Sequence, residues 1–155
     1  MKENLTYLLT TAITPELEAI WPKNTKLLLL GSWALRPSQK HKFVDKVIEI
    51  EPYHWGDEES IYADYFYLDK IYETNLRILS DQLNRLHGTD HSIKYWRIVI
   101  GPWLSTFVKV LYDRWVMINR VNTDPRNLTT TVIDFPSDKM IPDDLAQFRQ
   151  EFILE

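Results

Sequence analysis

Apolar residues recur at steps of three and four through the middle of the chain, and toward its two ends they gather into short unbroken runs. From about residue 57 to residue 87, Ile61, Tyr65, Leu68, Tyr72, Leu76, Leu79, Leu83 and Leu86 trace one stripe along a long helix. Asp57, Glu58 and Glu59 fall in its first turn, where the helix dipole favours acids. Gly88 stands where a left-handed cap would end it. A second stripe follows in Ile93, Trp96, Ile100, Leu104, Phe107, Leu111, Trp115 and Ile118. The connection Gly88-Thr89-Asp90-His91-Ser92 is short, so the two helices are expected to pack as an antiparallel hairpin. Pro102 lacks an amide hydrogen, its ring collides with the carbonyl of Ile98, and Gly101 before it is a weak helix former. Such an interruption costs about 3 kcal/mol inside a helix. The second helix must therefore kink or break between Trp96 and Trp103.

The unbroken runs read as strands. Leu5 to Ala12 (LTYLLTTA) is apolar and β-branched. It is followed by Thr14-Pro15-Glu16-Leu17-Glu18, in which Thr14 caps a short helix, Pro15 suits its first position and acids fill its first turn, with Pro22 closing it. Lys26 to Leu30 (KLLLL), bounded by Asn24-Thr25 and Gly31, has the pattern of a strand buried on both faces of a parallel sheet. Leu128 to Phe135 (LTTTVIDF) is a third such run, ended by Pro136. Ile141-Pro142-Asp143-Asp144 then opens a last helix carrying Leu145, Phe148 and Phe152, which reaches Glu155 with no stop signal, as expected of a severed domain. The predicted fold is α/β: a small, mostly parallel, Rossmann-like sheet with flanking helices and a long kinked antiparallel helical hairpin, all in one domain over residues 1–155.

Composition narrows the chemistry. With 45% hydrophobic and 26% charged residues the chain is of ordinary globular type. Its net charge of −4, with Lys and Arg scattered among acids, argues against a nucleic-acid partner. The absence of cysteine excludes a disulfide framework, a thiolate metal site and a Cys nucleophile. No signal-peptide pattern opens the chain, and the longest apolar run, Leu27 to Leu30, is too short for a transmembrane segment, so a cytoplasmic location is expected. Aromatics at 13%, six of them Trp, fit either a bulky core or rings lining a cleft.

Four glycines leave no room for a G-x-G-x-x-G turn or a P-loop, and there is no Asp-x-Asp. His87 and His91 have metal-ligand spacing but flank Gly88 in a turn, so no metal is expected. Gly31-Ser32-Trp33 follows the second strand, where open α/β sheets collect ligands, and Arg36, Lys40, His41 and Lys42 come soon after. This loop could hold an anion such as a phosphate or sugar acid, or be an exposed basic loop anchored by its Trp. In Pro52-Tyr53-His54-Trp55-Gly56-Asp57, His54 is a candidate general base or acid and Tyr53 or Trp55 could stack on a sugar. The alternative is a packed turn with Asp57 as helix cap. In Tyr95-Trp96-Arg97-Ile98-Val99-Ile100-Gly101-Pro102-Trp103, Arg97 adjoins the apolar stripe and needs an anionic partner. That partner is either a substrate group or an internal acid such as Asp57 or Asp113, and Trp96 and Trp103 join the candidate substrate-binding residues.

These pieces, LLTTA at 8–12, LLLLGSW at 27–33, PYHW at 52–55 with Asp57, HG at 87–88, HS at 91–92, YWRIVIGPW at 95–103 and LYDRW at 111–115, resemble a family of transferases encoded in bacterial O-antigen and surface-carbohydrate gene clusters. The resemblance implies a role in building lipopolysaccharide or capsule by moving a sugar from a nucleotide-activated donor, with no tightly bound cofactor. Members of that family carry an acid where Ser32 stands, which removes a catalytic role for this position, and they continue further. The chain is accordingly expected to be the N-terminal, acceptor-side domain of a two-domain transferase, inactive without the C-terminal domain that holds the donor. Glycosyl transfer needs a cationic cradle for the departing phosphate, for which Arg97 and the Arg36–Lys42 loop are candidates, and a base for the acceptor hydroxyl, for which His54 is one. The competing expectation is a non-catalytic module whose hairpin docks a partner or forms a homo-oligomer.

Overall fold

The computed structural model describes residues 5–22, 24–134 and 142–149. Its elements run β1 (Thr6–Leu9), α1 (Pro15–Ile20), β2 (Lys26–Leu29), β3 (Ile48–Ile50), α2 (Glu58–His87), α3 (Ile93–Val99), α4 (Gly101–Asn122), β4 (Leu128–Thr129) and α5 (Leu145–Arg149). The expected strand end at Phe135, the stop at Pro136, the start of the last helix at Ile141 and its continuation through Phe152 lie outside the described residues. The chain divides into two compact units, Met1–Tyr53 with Met117–Glu155, and His54–Val116.

The first unit is built on a four-stranded sheet of order β3-β2-β1-β4, parallel at every pairing. The KLLLL run is apolar without alternation because both faces of β2 are covered. Leu27 and Leu29 join Tyr7, Leu9, Leu17, Trp21 and Phe43 on one side, and Leu28 and Leu30 meet Leu8, Met117 and Val121 on the other. α1 starts as its sequence dictates, with the Thr14 hydroxyl accepting from the Leu17 amide at 3.2 Å.

Three departures from expectation share a cause in strand length. The run at 5–12 gives only four ladder residues before the chain leaves toward α1. The run at 128–135 gives two, after which the Thr130 hydroxyl bonds the Leu8 carbonyl at 2.8 Å in place of a ladder bond. β3 was not expected, since three residues with a Glu in the middle show no periodicity. It is an edge strand guarded by charge: Glu49 lies 2.6 Å from the Lys26 ammonium and 2.8 Å from Arg126. Between β2 and β3 the chain makes two 3₁₀ segments, Ser32–Ala34 and Pro37–Phe43.

The second unit is the helical hairpin. Asp57 caps α2 by accepting from the Ser60 amide at 2.8 Å, and Gly88 closes it in the left-handed conformation, φ 63°. Asn84 then organises the turn, its side-chain oxygen accepting from the Trp96 indole N–H at 2.9 Å and the His91 amide at 3.0 Å. The break predicted from Gly101-Pro102 falls at Ile100: α3 ends at Val99 and α4 begins at Gly101. Pro102 thereby occupies a first turn, where its missing N–H is no loss. The two stripes are only partly covered. Leu68, Leu76, Trp96 and Leu104 are buried, whereas Tyr65, Leu86, Leu111 and Trp115 are more than half exposed. Stripes this wide exceed the seam between two helices. Among the described residues no helix is long and apolar enough to cross a membrane.

Candidate functional site

In the first unit, the loops that leave the carboxyl ends of β1 and β2 are tied together. The Trp33 indole N–H donates to the Thr10 carbonyl at 3.1 Å. The Gln39 side chain brackets the Ile13 peptide, accepting from its N–H at 3.2 Å and donating to its carbonyl at 2.6 Å. Trp33 also meets Tyr53 edge to face, ring centres 6.4 Å apart. Gly31 is required by this packing and not by its backbone angles, because a Cβ there would stand 2.1 Å from the Trp33 ring. We expect Gly31→Ala to be destabilising by about 1–3 kcal/mol through overpacking. A urea denaturation midpoint lowered to match, with loss of the fixed Trp33 environment in near-ultraviolet circular dichroism, is the outcome that checks it.

Ser32 is exposed beside this anchor. Arg36, which precedes the second 3₁₀ segment, has a buried Nε with no hydrogen-bond partner among the described residues. Lys42 pairs with Glu18 at 2.5 Å, so this member of the basic loop is a structural cation. In a sheet of order β3-β2-β1-β4 the strand order reverses direction at β1, and the carboxyl ends around such a reversal are where open parallel sheets bind ligands. Gly31, Ser32, Trp33, Arg36 and Tyr53 belong to the strand-exit loops at this end of the sheet.

In the second unit His54 is held by two carboxylates. Its Nε2 lies 2.9 Å from Asp113 Oδ1 and its Nδ1 3.7 Å from Asp64 Oδ2. Asp113 also pairs with Arg114, while Asp64 accepts from the Trp55 indole at 2.8 Å and the Tyr112 hydroxyl at 2.6 Å. The Trp55 ring lies tilted against the imidazole, centres 4.5 Å apart. Burial, and after it the bond to the Asp64 carboxylate, pushes the Tyr112 phenol up to about 12. A folded-state value above the ordinary 10.0 means that this group's contribution to stability is complete below about pH 10 and is lost as pH rises toward 12. Comparing unfolding of Tyr112→Phe with the parent between those pH values checks this: the parent should lose the stability advantage there, and the variant should show a flatter profile.

The helix break adjoins a groove of about 500 Å³. α2 supplies Ile61, Tyr65, Leu68, Asp69 and Tyr72 to it, and the α3–α4 side supplies Arg97, Gly101, Pro102, Ser105, Val108 and Lys109. Arg97 stands over the Tyr72 ring and is bidentate to Glu73, at 2.5 and 2.8 Å. Its partner is thus an internal acid, though neither Asp57 nor Asp113, the two that sequence suggested. The guanidinium holds the Glu73 carboxyl below the usual range, and Arg97 is raised in turn. Gly101 lets the Tyr72 hydroxyl approach to 2.7 Å from where a Cβ would stand.

Trp55 and Arg97 therefore line one groove. Trp96 is buried against the interhelical turn with its N–H on Asn84, and Trp103 stacks on Phe107 in a neighbouring apolar groove. Sequence reasoning missed Asp64, Glu73, Gln39 and Tyr72. No spacing rule joins Asp64 to Tyr112, 48 positions away, although the LYDRW segment at 111–115, one of the pieces carrying the family resemblance, contains both Tyr112 and Asp113.

Comparison with known proteins gives one family. The model of the LIC12162 family transferase matches residues 8–155. No curated protein and no solved structure gives a significant match.

Proposed function

The chain belongs to the LIC12162 family of transferases, and from that footing we propose that it forms the acceptor side of a glycosyltransferase in bacterial surface-polysaccharide or lipopolysaccharide synthesis. In this reading it acts in the cytoplasm with a further domain that holds a nucleotide-activated sugar. The observation that carries the proposal is Arg36, whose buried Nε has no hydrogen-bond partner among the described residues, beside the Gly31-Ser32-Trp33 turn at the carboxyl end of a parallel sheet. A planar fork of donors suits a phosphate oxygen pair. Arg97, engaged by Glu73, acts in this account by shaping its groove, and the anion-holding role passes to Arg36. Within the helical unit Asp113 fixes the His54 imidazole, and His54 stands as a separate candidate for proton transfer there.

Calorimetric titration of the full chain with a hexose 1-phosphate and, separately, with a nucleoside diphosphate tests this directly. The acceptor-side reading expects the sugar phosphate to bind and the nucleotide to bind more weakly. Preference for the nucleotide would contradict the acceptor assignment, and indifference to both would remove the sheet edge as a site.

A second reading, assembly through the hairpin, draws support from the exposed Leu111 and Trp115 and the half-covered Phe107 along α4. Light scattering distinguishes it: a stable homo-oligomer indifferent to sugar phosphates would favour assembly over transfer.

A further inference from the structure

We propose that the groove at the helix break is a second binding site, and that its ligand is a neutral saccharide unit. The volume of about 500 Å³ lies within the range of about 300–1,000 Å³ usual for small-molecule sites. What selects the ligand is the arrangement of rings and charges. Trp55, Tyr65 and Tyr72 bring three aromatic rings to one groove. An aromatic face is electron-rich and attracts C–H bonds, and a pyranose presents a flat patch of C–H bonds with hydroxyls around its rim.

The rim is met by Asp69, Ser105 and Lys109. Among the described residues the Asp69 carboxylate and the Lys109 ammonium have no hydrogen-bond or ion-pair partner, so their capacity is open to a ligand. A carboxylate accepts from two neighbouring hydroxyls, and an ammonium donates to ring or hydroxyl oxygens. The charges cancel: Asp69 opposes Lys109, and Arg97 is neutralised by Glu73 at 2.5 Å. A groove with this balance offers no net attraction to a phosphate and several bonds to a polyol. The walls are also held in place before any ligand arrives. Glu73 fixes Arg97, the Arg97 guanidinium stands 5.7 Å from the Tyr72 ring centre, and Asp64 fixes Trp55 through its indole N–H. Prior order of this kind lowers the entropy lost on binding.

This site lies within the helical unit and does not depend on the sheet-edge reading. Saturation-transfer NMR on the full chain, with D-galactose, D-mannose and N-acetyl-D-glucosamine as probes, tests it, with uridine monophosphate as the competing chemistry. The expected result is saturation of the C–H protons of at least one sugar, at affinities of about 1–10 mM. Tyr65→Ala should abolish the signal and Asp69→Asn should weaken binding about tenfold, with unchanged far-ultraviolet circular dichroism. Both side chains sit on an exposed helix face, so both variants should fold. Inorganic phosphate should not compete.

Three outcomes would overturn the proposal: no transfer to any of the sugars, transfer to uridine monophosphate in preference to them, or undiminished sugar binding by both variants. Loss of sugar binding with phosphate binding intact would count against this groove alone. Phosphate failure with sugar binding retained would count against the sheet edge alone.

Discussion

Replacing Asp113 by Ala is expected to destabilise the helical unit by about 1–3 kcal/mol, the scale seen when a buried hydrogen-bonding group loses its partner. The Asp113 side chain is 10% exposed and that of His54 6%, so water cannot take over the lost partner. The deletion strips the imidazole Nε2 of its 2.9 Å contact and leaves the Arg114 guanidinium without its neighbouring carboxylate. Asp113→Asn should cost less, since the amide oxygen still accepts from Nε2. Urea denaturation followed by tryptophan fluorescence, at constant m value, measures both. In combination with His54→Ala the effects should fall well short of additive, because the two side chains share one interaction. A loss below about 0.5 kcal/mol for Asp113→Ala would mean that the pair is a surface contact and not a clamp.

Arg36→Ala is expected to weaken binding of a sugar phosphate about thirty- to a hundred-fold, equivalent to the roughly 2–3 kcal/mol of a charge-assisted hydrogen bond to a phosphate. Stability should hardly change, since the substitution removes a buried Nε that has no partner among the described residues. Arg36→Lys should restore part of the affinity through its charge while losing the paired geometry of the fork. This combination separates a ligand-binding arginine from a structural one. If Arg36→Ala lowered stability and left binding untouched, the guanidinium would be part of the scaffold.

The sequence made the hairpin legible because long helices repeat their signal many times over. Eight apolar positions mark α2, and Asp57 and Gly88 mark its ends chemically. The break at Ile100 followed from Gly101-Pro102 alone, since proline acts through covalent geometry whatever its surroundings. Short strands carry less information. Lys26–Leu29 was readable because both its faces are apolar, whereas Ile48–Ile50 was hidden by a polar edge held through Lys26 and Arg126.

The candidate site was legible by segment and not by partner. Gly31-Ser32-Trp33 and the stretch around Arg97 were both singled out, but the bidentate Glu73 lies 24 positions from Arg97 on another helix. Asp64 likewise reaches Trp55 and Tyr112 from a helix whose sequence signal is an apolar stripe to which it does not belong. A charged residue on the polar side of a stripe looks like solvated surface until the opposing helix is in place.

Amide chemical-shift mapping of the full chain during titration with inorganic pyrophosphate would show where an anion lands. The largest movements are expected at Thr10, Gly31, Ser32, Trp33 and Arg36, with the helical unit almost still. Shifts centred on Lys109 and Arg97, or none at all, would contradict it.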